Sequence, residues 1–553
     1  MLKPKLDWSS YQSEISLRSE FPVGRDFVRS NPLFYYTVGR ITLLVVSILG
    51  LLTVVETGAK LLKTCSFPSV ICFLNPLFGG CAAMLIPDAA GASLGFVAVS
   101  ALMYPPKVSA SVRYFWQGTL AGLAIATKST WVVVIPPLFF WYGMTCDVES
   151  RLRRIGGLWV QSTAMIFVIG AAYGFEGCTD SLGSVHFVSK DLIGSKPSTN
   201  RFSGSWLGRA PCTLPRPFLQ GVDLQKNDFD NGYRSYLMGE WKHGGWWYYY
   251  VIGFLVKEPI GFQLMLYASI LNGVYQWKLW TRNSIREWSF IVFPPLLIFG
   301  LVSSQTGFNH HMRYVLPAYP FLFIIAARTV TLGKFWKWFS YVCLIWQAAS
   351  VLWFAPHWMS YFNEFAGGPQ KGHDWLVDSN IDWGQDVLGL KWWQDEHPEV
   401  DLQAALFTGF NPKDIGLRFR LPAPYLKGKP EVISESGQRG PQAGWYAVSV
   451  CQLKGHHFSV PKGNGEWTWS AGHFTYFMDH FEPVDMIGYS IYIYHITEDQ
   501  AAAVREKLLG EEREILEANP GIEATSVSLD AGCGRLNFFS EHRDIKLPVH
   551  LAI

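Results

Sequence analysis

Asp88 is the residue best placed to do chemistry, standing in Leu85-Ile86-Pro87-Asp88-Ala89-Ala90-Gly91 between the apolar runs 67–86 and 89–104. An ionised carboxylate at mid-bilayer costs about 2.5–3.5 kcal/mol even on insertion scales. Pro87 avoids that cost by ending a helix and setting Asp88 in a turn at a membrane surface. There the acid either serves a functional site or is a solvated turn residue. Other polar groups fall at the same level from distant stretches: Lys128 in Ala126-Thr127-Lys128-Ser129-Thr130, Lys257 with Glu258, and Arg313 in Asn309-His310-His311-Met312-Arg313-Tyr314. Snorkelling of a long side chain accounts for any one of these cations. Three of them with a carboxylate suit a site for an anionic ligand such as a lipid phosphate. Cations on a phosphate leaving group and one carboxylate taking a proton from an acceptor hydroxyl describe group transfer from a phosphate-linked sugar. Such a leaving group departs as an anion, so the paired acid and base of glycoside hydrolysis are not needed. In-line attack would invert the anomeric carbon.

The elements that must position these residues are membrane helices. The chain has 553 residues, 49% hydrophobic and 16% charged, against about 25% charged in soluble domains. Apolar segments predict ten spans, at roughly 38–59, 67–86, 89–104, 114–128, 130–146, 157–175, 256–276, 288–304, 314–331 and 337–354. One set of short loops carries Lys60 and Lys63, Lys107 and Arg113, Arg151, Arg153 and Arg154, Lys278, Arg282 and Arg286, then Lys334 and Lys337. The positive-inside rule makes those loops cytoplasmic. The N-terminus, the loop 176–245 and everything after 355 then lie outside. The first 35 residues are polar and lack a signal-peptide core, so a translocated N-terminus either crosses unaided or, the favoured expectation, follows a further helix upstream of Met1.

The outer loop 176–245 holds Cys178 and Cys212, a disulfide pair or two free thiols in an oxidising compartment. The aromatic run Trp246-Trp247-Tyr248-Tyr249-Tyr250 is expected at headgroup level, with Lys257 and Glu258 at the outer end of the helix that follows. Past 355, alternation in Trp445–Val450 and Tyr489–Ile496 predicts strands, and Glu498–Glu517 a helix ended by Asn519-Pro520-Gly521. The predicted fold class is a polytopic α-helical membrane protein with a C-terminal extracytoplasmic α/β domain. Its parts are an outer N-terminal segment 1–35, a membrane domain 36–354 and a soluble domain 355–553. No internal repeat supports a transporter. Asp378-Ser379-Asn380-Ile381-Asp382-Trp383-Gly384 departs from a calcium loop, with Gly one place late and Gly389 at the twelfth position. His310-His311 and His456-His457 lack the spacing of a helical metal pair. No metal or cofactor is predicted, and no basic-aromatic stripe suggests nucleic acid.

Several stretches are familiar as a group: Leu85-Ile86-Pro87-Asp88, Ala124–Thr130, Gly245–Pro259, Arg313–Pro320 and Tyr361–Asp386. The chain resembles, from about residue 20 to about 497, bacterial glycosyltransferase family 39. These are GT-C membrane enzymes related to protein O-mannosyltransferases and lipid A aminoarabinose transferases. The resemblance implies transfer of a sugar from a polyprenyl-phosphate donor to an extracytoplasmic glycan, lipid or protein acceptor at the cytoplasmic membrane. The shared outer level predicts Asp88 as the catalytic base, Lys128, Lys257 and Arg313 on the donor phosphate, and Glu258, His310, His311 and Tyr314 as further pocket residues. The resemblance matches Asp88 to the acid this family carries between its third and fourth helices, Lys128 to its Thr-Lys position and Arg313-Tyr314 to its outer basic-aromatic motif. The family's first helix and outer Asp-Glu pair, whose aspartate is usually the base, have no counterpart here. The expectation therefore includes a truncated or inactive membrane scaffold as the alternative.

Overall fold

In the computed structural model, the described residues are 32–63, 67, 71, 74–84, 86–145, 150–194, 200–429 and 431–518. Residues 1–31 of the expected outer segment 1–35, the helix stop at 519–521 and the last residues lie outside them. The described chain divides after Gly368 into two compact units.

The first unit is helical, and a helix falls within each apolar segment. Among the described residues, four stretches are long and apolar enough to cross a membrane: Thr37–Leu62, Arg151–Ala172, Arg282–Ser304 and Met312–Thr331. The pair Pro76–Ala83 and Asp88–Met103 would make a fifth as one broken span. Others are short. Trp131–Thr145 has 15 residues and Ile260–Tyr275 has 16, about 24 Å or less at 1.5 Å per residue, under the hydrocarbon thickness of about 30 Å.

Local sequence explains the breaks. Asn75 caps Pro76–Ala83, its Oδ1 accepting the Phe78 N–H at 2.8 Å, and Pro76 occupies the first turn where it loses no helical bond. Pro87 then precedes Asp88–Met103 and interrupts the run. The second half packs on Tyr319–Ala327, a helix buried on every side; Phe96 and Phe321 meet edge to face at 5.0 Å. Ala110–Thr127 and Arg151–Ala172 pack through small residues. A Cβ on Gly118 would meet the Gln161 carbonyl, and one on Gly157 the Tyr114 ring. Gln161 Nε2 donates to Gln117 Oε1 at 2.8 Å, joining the same two helices with a buried polar bond.

The loop 176–245 carries a helix, Arg216–Asn231, and a hairpin of β1 (Arg234–Leu237) and β2 (Glu240–His243). The Asp223 carboxylate accepts the Val188 and Ser189 N–H groups at 2.5 and 3.1 Å, tying the loop to that helix. Cys178 and Cys212 are free thiols. The aromatic run is divided: Trp246, Tyr249 and Tyr250 are buried in protein, while Trp247 is exposed. Headgroup placement therefore describes only part of it.

The second unit has a four-stranded sheet in the order β3 (Leu402–Ala405), β4 (Gly444–Ser449), β8 (Ile491–Ile496), β7 (Asp485–Ile487). β3 and β4 are parallel and the other pairs antiparallel. A separate hairpin pairs β5 (His457–Pro461) with β6 (Trp467–Ala471). Central β8 is covered on both faces, so Ile491 and Ile493 enter one core while Tyr492 and Tyr494 are buried on the other side. Its alternation is aliphatic against aromatic, not inside against outside.

Three acids at four-residue spacing, Asp378, Asp382 and Asp386, are buried in this unit. Asp386 accepts the Ser490 hydroxyl at 2.7 Å, Asp382 the Gly384 N–H at 2.8 Å, and Asp378 the Ser379 N–H at 2.6 Å. Burial pushes the Asp382 carboxyl up to about 8; Asp386 and Asp378 add to the shift, and the Gly384 N–H and Ser449 hydroxyl oppose it. A raised acid binds its proton more tightly in the folded state. Its stabilising contribution is complete below about pH 4, the unfolded value, and is lost as pH rises through about 8. Asp382→Asn should remove that loss. Thermal unfolding of the purified protein from pH 5 to 9 should show a wild-type midpoint that falls more steeply than the variant's. Each kcal/mol recovered would move it by about 2–4 °C. Parallel curves would contradict a buried neutral acid at 382.

Candidate functional site

Three of the predicted residues meet at one point. Lys128 Nζ pairs with Asp88 Oδ1, and Arg313 Nη1 lies 3.4 Å from Asp88 Oδ2. Each carboxylate oxygen therefore has its own cation. The elements favour the arrangement before the charges do. Asp88 occupies the first turn of Asp88–Met103, where the helix dipole favours an anion, and Lys128 caps the C-terminus of Ala110–Thr127, where it favours a cation. Arg313 comes from the 3₁₀ turn Met312–Ala318 that precedes the buried helix.

Exposure is graded across the triad. The Asp88 side chain is 4% exposed, Lys128 14% and Arg313 21%. The carboxylate is the inner group and the cations form the rim. Pairing two charges out of water demands good geometry, and removing one partner of such a pair costs about 3–5 kcal/mol.

Glycine makes the closeness possible. A Cβ on Gly91 would sit 2.8 Å from Lys128 Cβ, inside any tolerable contact. Gly91 also accepts the Trp131 indole N–H at 2.8 Å, and Gly95 lies flat against the same ring. The glycine pair thus lets the turn 128–131 lie directly on the first turns of the Asp88 helix.

Tyr314, His310 and His311 are close chain neighbours of Arg313. Tyr314 faces the Arg313 guanidinium, 5.7 Å from ring centre to Cζ, and meets the His311 ring at 5.2 Å. His310 Nε2 bonds the Arg234 carbonyl at 2.6 Å, anchoring its ring on β1. Lys257 also has contacts outside the triad. It is 1% exposed, donates to the Met359 carbonyl at 2.8 Å and lies 4.4 Å over the Phe362 ring. Consecutive helical residues project about 100° apart, and Lys257 ends its helix on the face that packs against 359–363. Glu258 is fully buried and accepts Asn75 Nδ2 at 2.6 Å and the Tyr319 hydroxyl at 2.7 Å. Buried Cys81 lies within electrostatic reach of Asp88, Arg313, Lys257 and Lys128 alike.

Asn75, Gly91, Trp131 and Tyr319 belong to the site's framework but were not singled out from sequence. The Asn75-Pro76 pair is a helix-start signal, and Gly91 and Gly95 show the four-residue spacing of close helix packing. Tyr319 lay unremarked inside the familiar stretch 313–320.

No family model and no curated protein matches the chain. Among solved structures it is similar to the crystal structure of ArnT from Cupriavidus metallidurans in the apo state. Identity is 13%, coverage is 84% of each chain and the TM-score is 0.38. At that score the similarity assigns no residue a role.

Gly91→Ala tests the packing directly. The added methyl should push Lys128 off Asp88 and lower the thermal midpoint, with overpacking costing about 1–3 kcal/mol. An unchanged midpoint would mean the turn has room to spare.

Proposed function

We propose that the chain is a GT-C-like membrane glycosyltransferase that moves a sugar from a polyprenyl-phosphate donor to an extracytoplasmic acceptor. The observation that carries the reading is the graded triad, an inner carboxylate behind two outer cations. The sequence supports it through the alternation of basic loops, from which an outer-face level for Asp88, Lys128 and Arg313 is expected. The proposed setting is the cytoplasmic membrane.

Both oxygens of Asp88 are engaged by cations, which makes it a poor base. A donor phosphate entering from the rim would meet Lys128 and Arg313 first and draw them outward, since it offers more anionic oxygens than a carboxylate. Asp88 is then released to accept a proton. The acceptor hydroxyl oxygen bonds to the anomeric carbon as the bond from that carbon to the phosphate oxygen breaks. The hydroxyl proton passes to Asp88 and the lipid phosphate leaves as an anion, held by the two cations. Configuration inverts because attack and departure are in line. Tyr314, His310 and His311 line the approach beside Arg313. Lys257 is assigned to packing in this reading, with its ammonium on the Met359 carbonyl.

The reading is tested by incubating purified protein with a radiolabelled polyprenyl-phosphate sugar and an extracytoplasmic extract as acceptor source. Asp88→Asn should reduce transfer by about 10²–10⁴-fold, the range of a lost general base, with expression unchanged. Lys128→Ala should mainly raise the donor concentration needed for half-maximal rate. Full activity in Asp88→Asn would remove the carboxylate from the chemistry, and an unshifted donor titration would remove Lys128 from the phosphate.

A further inference from the structure

Glu258 is a buried acid that the transfer step does not use. Its surroundings show what it holds. Oε2 accepts Asn75 Nδ2 at 2.6 Å, and Oε1 accepts the Tyr319 hydroxyl at 2.7 Å. Each partner is the root of one arm of the site. Asn75 caps Pro76–Ala83, the first half of the broken pair whose second half begins at Asp88. Tyr319 begins the buried helix that continues directly from the 3₁₀ turn bearing Arg313.

Glu258 itself has little freedom. Its carbonyl accepts Gln263 Nε2 at 2.8 Å and Asn363 Nδ2 at 2.7 Å. The Asn363 N–H also donates to the Val256 carbonyl at 2.9 Å, and neighbouring Lys257 is pinned to Met359. The break between Tyr249–Lys257 and Ile260–Tyr275 is thereby bound on both sides. A rigid backbone point carries a carboxylate that reaches both arms.

The chemistry of the two bonds is specific. Asn75 cannot turn its amide over, because its oxygen is committed to the Phe78 N–H. It must therefore donate to residue 258. Tyr319 has a hydroxyl that either donates or accepts. A carboxylate meets both donors. A glutamine can meet both as well, with its oxygen toward Asn75 and its amino group toward a rotated Tyr319 hydroxyl. An alanine can meet neither.

We propose that Glu258 is a positioning residue: one buried side chain sets the separation of Asp88 and Arg313 by holding Asn75 and Tyr319, the roots of the two arms. Its effect on transfer rests on the glycosyltransferase reading, whereas its effect on the two arms does not.

The test uses full-length protein in detergent and amide hydrogen exchange read by mass spectrometry. Asn75→Ala should speed exchange in 76–83 and 89–92 and leave 312–322 at the wild-type rate. Tyr319→Phe should do the reverse. Glu258→Ala should speed both arms, and Glu258→Gln should stay near wild type in both. General loosening cannot give this split pattern. Uniform acceleration, or an Asp88 arm indifferent to residue 258, overturns the proposal. If Glu258→Ala does not fold, Tyr319→Phe decides alone, since it changes no volume of consequence. Unchanged exchange in 312–322 then overturns it.

Transfer is measured on the same preparations. Glu258→Ala should lose about 100-fold in kcat, the cost of misplacing reacting groups by about 1 Å. Glu258→Gln should stay within about tenfold, as expected when charge-assisted bonds become neutral ones. A glutamine variant as inactive as alanine would make the charge itself necessary and overturn a positioning role. If wild type transfers no sugar, the enzyme reading fails while the exchange pattern still judges the positioning of the arms.

Discussion

One carboxylate shared between two cations is the constraint on which this membrane unit depends. Asp88 in a low-dielectric setting would be costly alone. With Lys128 on one oxygen and Arg313 on the other it is neutralised and fixed in orientation. The three residues lie 40 and 225 positions apart along the chain. Helices whose buried surface is mostly apolar are thereby held in one register, because apolar packing tolerates sliding and an ion triad does not.

The surrounding architecture meets the geometric demands of that triad. A proline ends one helix just before Asp88, a helix C-terminus presents Lys128, and glycines at 91 and 95 remove the side chains that would keep the two apart. Behind them a second polar layer, Asn75, Glu258 and Tyr319, is fully buried and internally bonded. Buried polar networks are tolerable only when satisfied, and this one spends its bonds on the segments that lead to Asp88 and Arg313. The charged rim can then exchange partners while the layer beneath stays fixed.

Much of this was legible in the sequence, for physical reasons. Apolar length marked the helices, since lipid leaves few other ways to satisfy a backbone. Alternating strands at 445–450 and 489–496 and the charged helix from 498 marked the C-terminal unit, whose strands and helix fall within a residue or two of those positions. Charge alternation between loops singled out Lys128 and Arg313 because each is a cation on the side that the pattern disfavours, and the cost of a carboxylate between two apolar runs singled out Asp88. The same logic could not separate Lys257 from the other cations. Which way a side chain leaves a helix end depends on what packs there, here the segment 359–363, and hydropathy does not carry that. Nor does it record hydrogen bonding between neutral residues, so Asn75 and Tyr319 gave no signal beyond an Asn-Pro dipeptide and a tyrosine among apolar neighbours. The aromatic run 246–250 shows the same limit: composition cannot tell a membrane belt from a buried cluster.

The central claim is that Lys128 and Arg313 guard Asp88 until a donor phosphate takes them. A structure determined with a non-hydrolysable polyprenyl-phosphate sugar bound in lipid nanodiscs tests it most directly. The account predicts phosphate oxygens about 2.7–2.9 Å from both cations, with Asp88 released from at least one of them and facing the anomeric carbon. A donor phosphate bound away from Lys128 and Arg313, with the triad intact, would contradict it.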